Sequence, residues 1–301
     1  MLPRNFQYYA PKSVDDAVKF LAGHPGEAKV IAGGMSLIPL MKMRLASPSF
    51  LVDINGLEHL GSIEESGDRG SLLIGSLTRH HDLESSPLVM NKALLVAETA
   101  GLIGDPQVRN LGTIGGALAH SDPSGDWGAA MLALRAEVRV VGPAGERRIP
   151  IDDFLVDTFT TSLREDELIT QLSIPVYSQP GSGGAYVKLE RKAGDFATVG
   201  VAAQVSLARD GGRCTYAGIG LTAVGPKSIR ASKAEGVLMG SALSDEKVSE
   251  AAGSAAKECS PSTDPLRGSA EYKREMVRVM TRRALELAAK RAREGGGLPR
   301  R

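Results

Sequence analysis

Two glycine-rich segments carry the residue types that can hold a diphosphate. The first is VIAGGMSL at residues 30–37, and the second is LGTIGGA at residues 111–117. Glycine has no Cβ and readily adopts positive φ, so backbone N–H groups at these segments can approach phosphate oxygens. Ser36 and Thr113 add hydroxyl donors. Either segment alone is also typical of a tight connection between a strand and a helix. Together they favour an extended dinucleotide held between them.

Other kinds of site are disfavoured by residue spacing. Neither glycine segment has the GxGxxG or GxxxxGK[ST] pattern of ordinary Rossmann and P-loop sites. We interpret His80, His81 and His120 as surface or capping residues, because they lack partners at metal-ligating spacing. Adjacent carboxylates such as Asp152 and Asp153 point apart in a strand or helix. The sequence therefore predicts no metal site and no catalytic acid–base pair, and its pattern of aromatic and basic residues is unlike that of nucleic-acid-binding modules.

Composition indicates a globular chain of about two domains. The 301 residues carry a net charge of +1, which argues against a general binder of polyanions. The sequence predicts no transmembrane segment, since no apolar run approaches the roughly 18 residues required, and its start lacks the apolar core of a signal peptide. Cys214 and Cys259 cannot supply four ligands to an iron–sulfur cluster. We interpret them as reduced structural thiols of a cytoplasmic protein.

The elements that position the glycine segments follow from apolar spacing and capping residues. Residues 13–23 read as a helix capped by Ser13, and residues 29–32 as a short strand that ends on the first glycine segment. Residues 36–45 form a helix or irregular turn, and residues 51–54 return as a strand. These elements predict an N-terminal lobe of residues 1–55.

A second lobe is predicted over residues 56–177. Its expected elements are strands at 71–75, 137–141 and 168–175, helices around 92–100 and at 129–134, and a loop at 103–110 that delivers the second glycine segment. Proline and glycine at residues 180–184 then predict a flexible turn and a domain boundary.

The remaining sequence predicts a hairpin followed by helices. Strands at 198–208 and 214–224 flank the turn Asp210-Gly211-Gly212, and Ser244 caps a helix over 245–257. The last helix covers about 271–293, with an apolar stripe of Met276, Val279, Met280 and Leu287. Its basic residues form either a solvated face or a contact with a partner protein. They are Arg278, Arg282, Arg283, Lys290 and Arg293.

The motifs AGGxS at 32–36 and TIGG at 113–116 resemble the two FAD-diphosphate loops of the flavin-binding medium subunit of molybdenum hydroxylases. This family includes xanthine dehydrogenases and aerobic carbon monoxide dehydrogenases. Further matching segments occur in the family's order, so the resemblance covers nearly the whole chain. They are MRLASP at 43–48, AYVKLERKAGDFA at 185–197, AVGP at 223–226 and YKREMVRVM at 272–280.

The resemblance implies an α+β fold. A two-lobed FAD-binding domain of the PCMH type covers residues 1–177, and a smaller α+β C-terminal domain covers residues 178–301. It implies FAD as the cofactor of this chain and no catalytic residue. The implied FAD-binding residues are Ile31, Ala32, Gly33, Gly34, Met35, Ser36, Leu37, Ile38, Ile103, Gly112, Thr113, Ile114, Gly115, Gly116, Asp126, Ile169, Lys188 and Phe196.

Individual roles follow from the same resemblance. Asp126 matches an acidic residue near the ribityl or ribose hydroxyls, although it could equally cap a helix before Trp127. Lys188 matches a lysine near the flavin, where a cation would stabilise the anionic reduced form and raise its potential; without the family it reads as an exposed strand lysine. Ile103 and Ile169 match apolar positions lining the cofactor. Phe196 matches an aromatic residue facing the ring, and without the family it is simply a core residue.

The implied function is electron transfer within a complex. The resemblance implies a small partner subunit with two [2Fe-2S] clusters and a large one with molybdopterin, in a heterotrimer commonly doubled to a heterohexamer. FAD then passes electrons to an external acceptor. Family members that process carbon monoxide usually have histidine where this chain has Met35. Because a thioether cannot make the hydrogen bond of an imidazole, Met35 disfavours carbon monoxide as the substrate. The alternatives are a stand-alone FAD-dependent oxidoreductase and a non-catalytic assembly protein.

Overall fold

The structure, a computed structural model, describes residues 2–68, 70–177, 180–208 and 212–294. Sheets of three, five and four strands, with one two-stranded ladder, combine with helices in an α+β architecture. The predicted fold class is confirmed. Within the described ranges, no helix is both long enough and apolar enough to cross a membrane.

The first lobe is a parallel three-stranded sheet of order β1-β3-β2. Its elements are β1 (Gln7–Tyr9), α1 (Val14–Gly23), β2 (Ala28–Ile31), α2 (Leu37–Lys42) and β3 (Phe50–Asp53). Ser13 caps α1, because its Oγ accepts a hydrogen bond from the N–H of Asp16. Since β2 and β3 are parallel neighbours, their carboxyl ends lie at the same edge of the sheet. The first glycine segment therefore emerges beside the residues that follow β3.

The second lobe surrounds an antiparallel sheet of order β4-β5-β10-β6-β7. Its elements are a 3-10 turn (Glu58–Gly61), β4 (Ile63–Glu65), β5 (Ser71–Gly75), α3 (His80–Ser85), α4 (Pro87–Lys92), α5 (Leu94–Gly101), α6 (Pro106–Leu111), α7 (Ile114–His120), α8 (Asp126–Leu134), β6 (Glu137–Gly142), β7 (Gly145–Pro150), α9 (Ile151–Phe154), β8 (Leu155–Asp157), β9 (Thr160–Thr161) and β10 (Leu168–Pro175). Helix α8 is buried along its whole length within the lobe's core.

The predicted loop at 103–110 is wrong over its second half, where α6 forms. Asp105 caps this helix, since its carboxylate accepts from the N–H of Val108, and Pro106 occupies the first helical position. Aspartate followed by proline is a local helix-start signal, so the residues themselves explain the difference. The second glycine segment thus follows a helix rather than an irregular loop.

The C-terminal domain is an antiparallel sheet of order β11-β12-β13-β14 with helices on both faces. Its elements are β11 (Ser182–Leu189), β12 (Val199–Leu207), β13 (Cys214–Thr222), β14 (Ile229–Arg230), α10 (Ser232–Leu238), α11 (Asp245–Glu258) and α12 (Ala270–Glu294). The predicted cap Ser244 accepts from the N–H of Lys247. Strands β12 and β13 pair as predicted, while residues 210 and 211 of the predicted turn lie outside the described residues.

Glycines on this sheet allow helices to pack with their backbones against it. A Cβ at Gly218 or Gly220 of β13 would lie 1.9 Å from a carbonyl oxygen of α8. A Cβ at Gly183 would lie 2.2 Å from the carbonyl oxygen of Ala288 in α12. The predicted flexible turn at 180–184 is therefore wrong from Ser182 onward, because Gly183 belongs to β11 and is required there by the close approach of α12.

The predicted apolar stripe of α12 is confirmed in part, since Met280 is buried and Met276 and Leu287 pack against the same core, but the buried face is centred on other residues. Val277, Met280, Ala284 and Ala288 are buried, whereas three of the four predicted residues are only half-buried at the margin. Those three are Met276, Val279 and Leu287. The exposed side chains of Arg278, Arg282 and Lys290 pair with glutamates of the same helix, as expected of a solvated face. Arg291 instead is buried and pairs with Glu98 of α5, tying α12 to the second lobe.

Candidate functional site

The two glycine segments meet where the first lobe faces the second. A Cβ built on Gly33 would lie 2.1 Å from the carbonyl oxygen of Leu111, so only glycine fits at this position. A Cβ built on Gly116 would lie 3.8 Å from the Cβ of Ala32. The sequence prediction that these segments act together is consistent with this contact.

The first segment presents a row of unused donors. Gly34 has φ of +72°, which turns the chain between β2 and α2. The N–H groups of Gly33, Gly34, Met35 and Ser36 donate to no described residue. The hydroxyl of Ser36 makes no capping bond to α2. Backbone donors left free at one turn form a concave site for an anion.

The second segment differs from the prediction, because its own backbone donors are already used. The N–H of Gly115 donates to the carbonyl of Ser76 at 3.0 Å, and the N–H of Gly116 donates to Oγ1 of Thr113 at 3.1 Å. The expectation that both N–H groups are free for phosphate is therefore wrong. Gly115 is needed for packing, since a Cβ there would lie 2.5 Å from Cβ of Ser76. Thr113 keeps a hydroxyl proton to donate, and Gly116 is exposed.

Sequence reasoning missed two residues that connect these segments. Nδ2 of Asn55 donates to the carbonyl of Ala32 at 2.8 Å, and Oδ1 of Asn55 accepts from Nη2 of Arg79 at 2.7 Å. Nη1 of Arg79 donates to the carbonyl of Leu111. The one local signal is Asp53-x-Asn55 at the end of β3, where the Asp53 carboxylate accepts from the N–H of Asn55. Burial would raise the pKa of Asp53, but hydrogen bonds from Asn55 and Tyr8 outweigh it and lower that pKa.

Asp126 and Lys188 lie together beneath the junction of the second lobe and the C-terminal domain. Asp126 is the first residue of α8 and Gly125 is the N-cap, so the capping alternative for Asp126 is wrong. Its carboxylate accepts from the hydroxyl of Tyr186 at 2.6 Å and from Nζ of Lys188 at 3.0 Å. Burial raises the pKa of Asp126, and the positive charge of Lys188 opposes that rise.

Lys188 is neither an exposed strand lysine nor an unpaired cation. Its side chain is 2% exposed, and its ammonium also donates to the carbonyl of Leu102 at 3.0 Å. Its positive charge is thus balanced inside the protein by Asp126 at 3.0 Å and by Glu190 at 3.6 Å. Any effect on a bound cofactor must come from the pair rather than from an isolated ammonium.

The other predicted residues fall into three groups. Ile114 and Ile169 are buried in the core of the second lobe, and Ile103 is half-buried against it, so the predicted roles of Ile103 and Ile169 in lining the cofactor stay a prediction. The half-buried predicted positions along the first segment are Ile31, Ala32 and Leu37, and Ile38 is exposed. Phe196 is 49% exposed in the connection between β11 and β12, so its interpretation as a core residue is wrong.

Gly112 and His80 form the inner wall of the second segment. A Cβ on Gly112 would lie 2.8 Å from Nε2 of His80, whose side chain is buried beside Trp127. The interpretation of His80 as a surface or capping histidine is wrong, and burial lowers its pKa to about 4. The described residues contain no group of three or more His, Cys, Asp or Glu placed to hold a metal ion.

These observations fit a bound FAD. Unused N–H donors along the first segment suit a diphosphate, and the exposed Gly116 leaves space opposite them. Leu111 of the second segment leaves an apolar side chain 50% exposed, which suits contact with an aromatic ring system.

Known proteins share this architecture over the full length of the chain. Residues 4–177 match the family described as the FAD binding domain in molybdopterin dehydrogenase, and residues 184–288 match the CO dehydrogenase flavoprotein C-terminal domain. The carbon monoxide dehydrogenase medium chain of Hydrogenophaga pseudoflava is 43% identical over 96% of this chain and 98% of its own. The 6-hydroxypseudooxynicotine dehydrogenase complex subunit alpha of Paenarthrobacter nicotinovorans is 39% identical over 97% of each.

Solved structures agree with the sequence matches. A chain of the Hydrogenophaga pseudoflava carbon monoxide dehydrogenase that lacks the Mo-pyranopterin moiety superposes with a TM-score of 0.93 at 44% identity, covering 97% of this chain and 99% of its own. A chain of quinoline 2-oxidoreductase from Pseudomonas putida 86 superposes with a TM-score of 0.89 at 31% identity, covering 97% of this chain and 100% of its own. This chain therefore belongs to the FAD-binding medium subunits of molybdenum hydroxylases, which are oxidoreductase subunits that work within multi-subunit complexes.

Proposed function

We propose that this chain relays electrons from the [2Fe-2S] clusters of a partner subunit to an external small-molecule acceptor. Bound FAD supplies the redox chemistry, since a flavin can take up and release electrons one or two at a time. The observation that carries the proposal is the row of unused N–H donors at Gly33, Gly34, Met35 and Ser36, on a segment that packs against the second glycine segment at Gly33 and Leu111.

The residues of the chain would bind and orient the cofactor. The four N–H groups and the hydroxyls of Ser36 and Thr113 would donate to the diphosphate, and Gly116 would leave room for it. Asp126 and Lys188 would fix the wall formed by α8 and β11, with Leu102 held by the lysine. Other predicted positions would act through shape rather than hydrogen bonds. They are Ile31, Ala32, Leu37, Ile38, Ile103, Gly112, Ile114, Gly115, Ile169 and Phe196.

Partners must hold the other redox centres. Cys214 and Cys259, the two cysteines of the sequence, are buried and unpaired, and two thiols cannot ligate an iron–sulfur cluster. We propose a small iron–sulfur subunit and a large molybdopterin subunit, in a heterotrimer doubled to a heterohexamer. The names of the relatives, a medium chain and a subunit of a dehydrogenase complex, support this arrangement. The free thiols also support a cytoplasmic location.

We also propose a division of the chain into domains 1–177 and 178–301. Its support is that one family match ends at residue 177 and the next begins at 184, two residues into strand β11, which starts a new sheet. The two N-terminal lobes would be residues 1–55 and 56–177, with the proposed FAD site between them.

Two experiments test the proposal. Heat release of the cofactor followed by chromatography should recover FAD, because two segments flanking one site suit a diphosphate. Recovery of FMN would contradict a diphosphate site between the two segments.

Stopped-flow absorbance at the oxidised-flavin band should show substrate-dependent reduction only when the iron–sulfur and molybdenum subunits are present. Rapid reduction by an organic substrate in the lone chain would overturn the relay and favour the stand-alone oxidoreductase.

A further inference from the structure

Arg79 lies on a segment that is paired with the second glycine segment. The N–H of His80 donates to the carbonyl of Gly112 at 3.1 Å, and the N–H of Ile114 donates to the carbonyl of Thr78 at 3.1 Å. These bonds form an antiparallel bridge between Arg79 and Thr113. The backbone of Arg79 is therefore fixed to the segment that carries Thr113 and Gly116.

The side chain of Arg79 reaches from this segment to the first lobe. Its guanidinium donates to the carbonyl of Leu111 and, at 2.7 Å, to Oδ1 of Asn55. Asn55 in turn donates to the carbonyl of Ala32 at 2.8 Å, directly before Gly33. The connection Leu111–Arg79–Asn55–Ala32 thus runs from one glycine segment to the other through side-chain hydrogen bonds.

Asn55 is itself held at both ends of its amide. Its Nδ2 also donates to Oδ1 of Asp53 at 2.7 Å, and the hydroxyl of Tyr8 donates to Oδ2 of the same carboxylate. A side chain with its donors and acceptor all used has one orientation available. This rigidity allows Asn55 to transmit the position of Arg79 to Ala32.

We propose that Arg79 and Asn55 are positioning residues that fix the separation of the two glycine segments and thereby set the affinity for FAD. The inference rests on the proposed function, which places the FAD diphosphate between these segments. Donors held at the correct spacing before binding lose less conformational freedom when the ligand arrives. Without the connection, the packing of Gly33 against Leu111 would still join the segments, but the distance from the free N–H groups of the first segment to the hydroxyl of Thr113 would be less tightly fixed.

The test measures FAD dissociation constants for the full-length chain by quenching of flavin fluorescence. Arg79→Gln and Asn55→Ala should each weaken binding roughly tenfold, as expected for loss of one or two hydrogen bonds. The double variant should bind FAD no more weakly than whichever single variant binds it less tightly, because both substitutions break the same connection. Arg79→Lys should not restore binding, since an ammonium keeps the charge but cannot bridge both oxygens as a guanidinium fork does.

Arg139→Gln is the matched control. Arg139 is also half-buried and also hydrogen-bonds a side-chain oxygen, that of Gln171, but its partners, which include Glu146, lie within the second-lobe sheet rather than on the two glycine segments. The FAD affinity of Arg139→Gln should match that of the wild type within twofold. Urea unfolding at the assay temperature verifies that every variant is folded.

Full recovery by Arg79→Lys would show that charge alone matters and would overturn the positioning role. If the losses of FAD affinity add in the double variant, the two residues do not act through one shared connection, and that part of the inference is overturned. Equal affinity of wild type and Arg79→Gln would overturn this inference alone, whereas a wild-type chain that binds no FAD would overturn the proposed function and this inference with it.

Discussion

The carboxylate of Asp126 and the ammonium of Lys188 form a buried ion pair that joins the second lobe to the C-terminal domain. Oδ2 of Asp126 and Nζ of Lys188 are 3.0 Å apart, and the side chains of Asp126 and Lys188 are 6% and 2% exposed, respectively. Asp126 begins α8 and Lys188 lies near the end of β11, so the pair closes the junction beside the proposed FAD site. Since water cannot solvate either group well, each charge depends on the other.

Lys188→Met should lower the free energy of unfolding by about 3 kcal/mol, because it leaves a buried carboxylate without its counter-charge. The double variant Asp126→Asn with Lys188→Met should lose less than Lys188→Met alone, since Asp126 then carries no charge and only Glu190, whose side chain is 22% exposed, is left without the ammonium. Urea unfolding monitored by circular dichroism measures both values.

Lys247→Met is the control for this pair. Lys247 forms an ion pair with Glu250 in which the side chains are 41% and 53% exposed. Its replacement should change stability by less than about 1 kcal/mol, because solvent already screens the charges. Equal losses for the two lysines would contradict the view that burial makes the Asp126–Lys188 pair important.

Gly33→Ala should weaken FAD binding at least tenfold. The new Cβ would lie 2.1 Å from the carbonyl oxygen of Leu111 and would push the two glycine segments apart. Gly23→Ala is the matched control, since a Cβ at the end of α1 meets no atom within 4 Å. Fluorescence titration with FAD compares the two variants, and unchanged affinity in Gly33→Ala would show that the segments do not need their close contact.

Gly220→Ala should destabilise the chain by about 1–3 kcal/mol, the usual cost of overpacking. The added Cβ would lie 1.9 Å from the carbonyl oxygen of Ala129, so α8 would have to move away from β13. Gly236→Ala in α10 should instead stabilise the chain, because the new Cβ meets no atom within 4 Å and alanine favours a helix. Thermal unfolding of both variants gives the comparison, and a neutral Gly220→Ala would contradict backbone-level packing of α8.

Local signals explain what could be predicted from the sequence. Ser13 and Ser244 mark helix starts through bonds that lie within one turn, and both caps are observed. The start of α6 at Asp105 and Pro106 was equally local and could have been recognised. These features depend on neighbours in the chain, so the residues themselves specify them.

Contacts between distant segments explain what could not be predicted. Gly183 looks like a turn residue until α12 is placed against it, and His80 looks like a surface residue until Trp127 packs beside it. The roles of Asn55 and Arg79 likewise exist only once the two lobes meet. The glycine segments were recognised from their composition, but which of their donors are free depends on the pairing of residues 76–80 with 112–115.

Protonation of His80 should make the chain less stable in mild acid. Nδ1 of His80 accepts from the indole N–H of Trp127 at 3.3 Å, and burial together with the charges of Arg109 and Arg79 lowers its pKa from 6.5 to about 4. Above pH 6.5 the imidazole is neutral in both folded and unfolded chains and contributes no pH dependence. Between pH 6.5 and 4 the unfolded chain binds a proton that the folded chain excludes, so the free energy of unfolding falls as pH falls.

The total loss from His80 should approach about 3 kcal/mol near pH 4, since each pKa unit corresponds to about 1.4 kcal/mol. His80→Gln keeps an acceptor for the indole but has no proton to gain, so it should remove this part of the pH dependence. His81→Gln is the control, because His81 is the next residue and is exposed. Urea unfolding between pH 4 and 7.5 measures all three proteins. If wild type and His80→Gln lose stability along the same curve, another group is responsible and His80 is not the acid-sensitive residue of this junction.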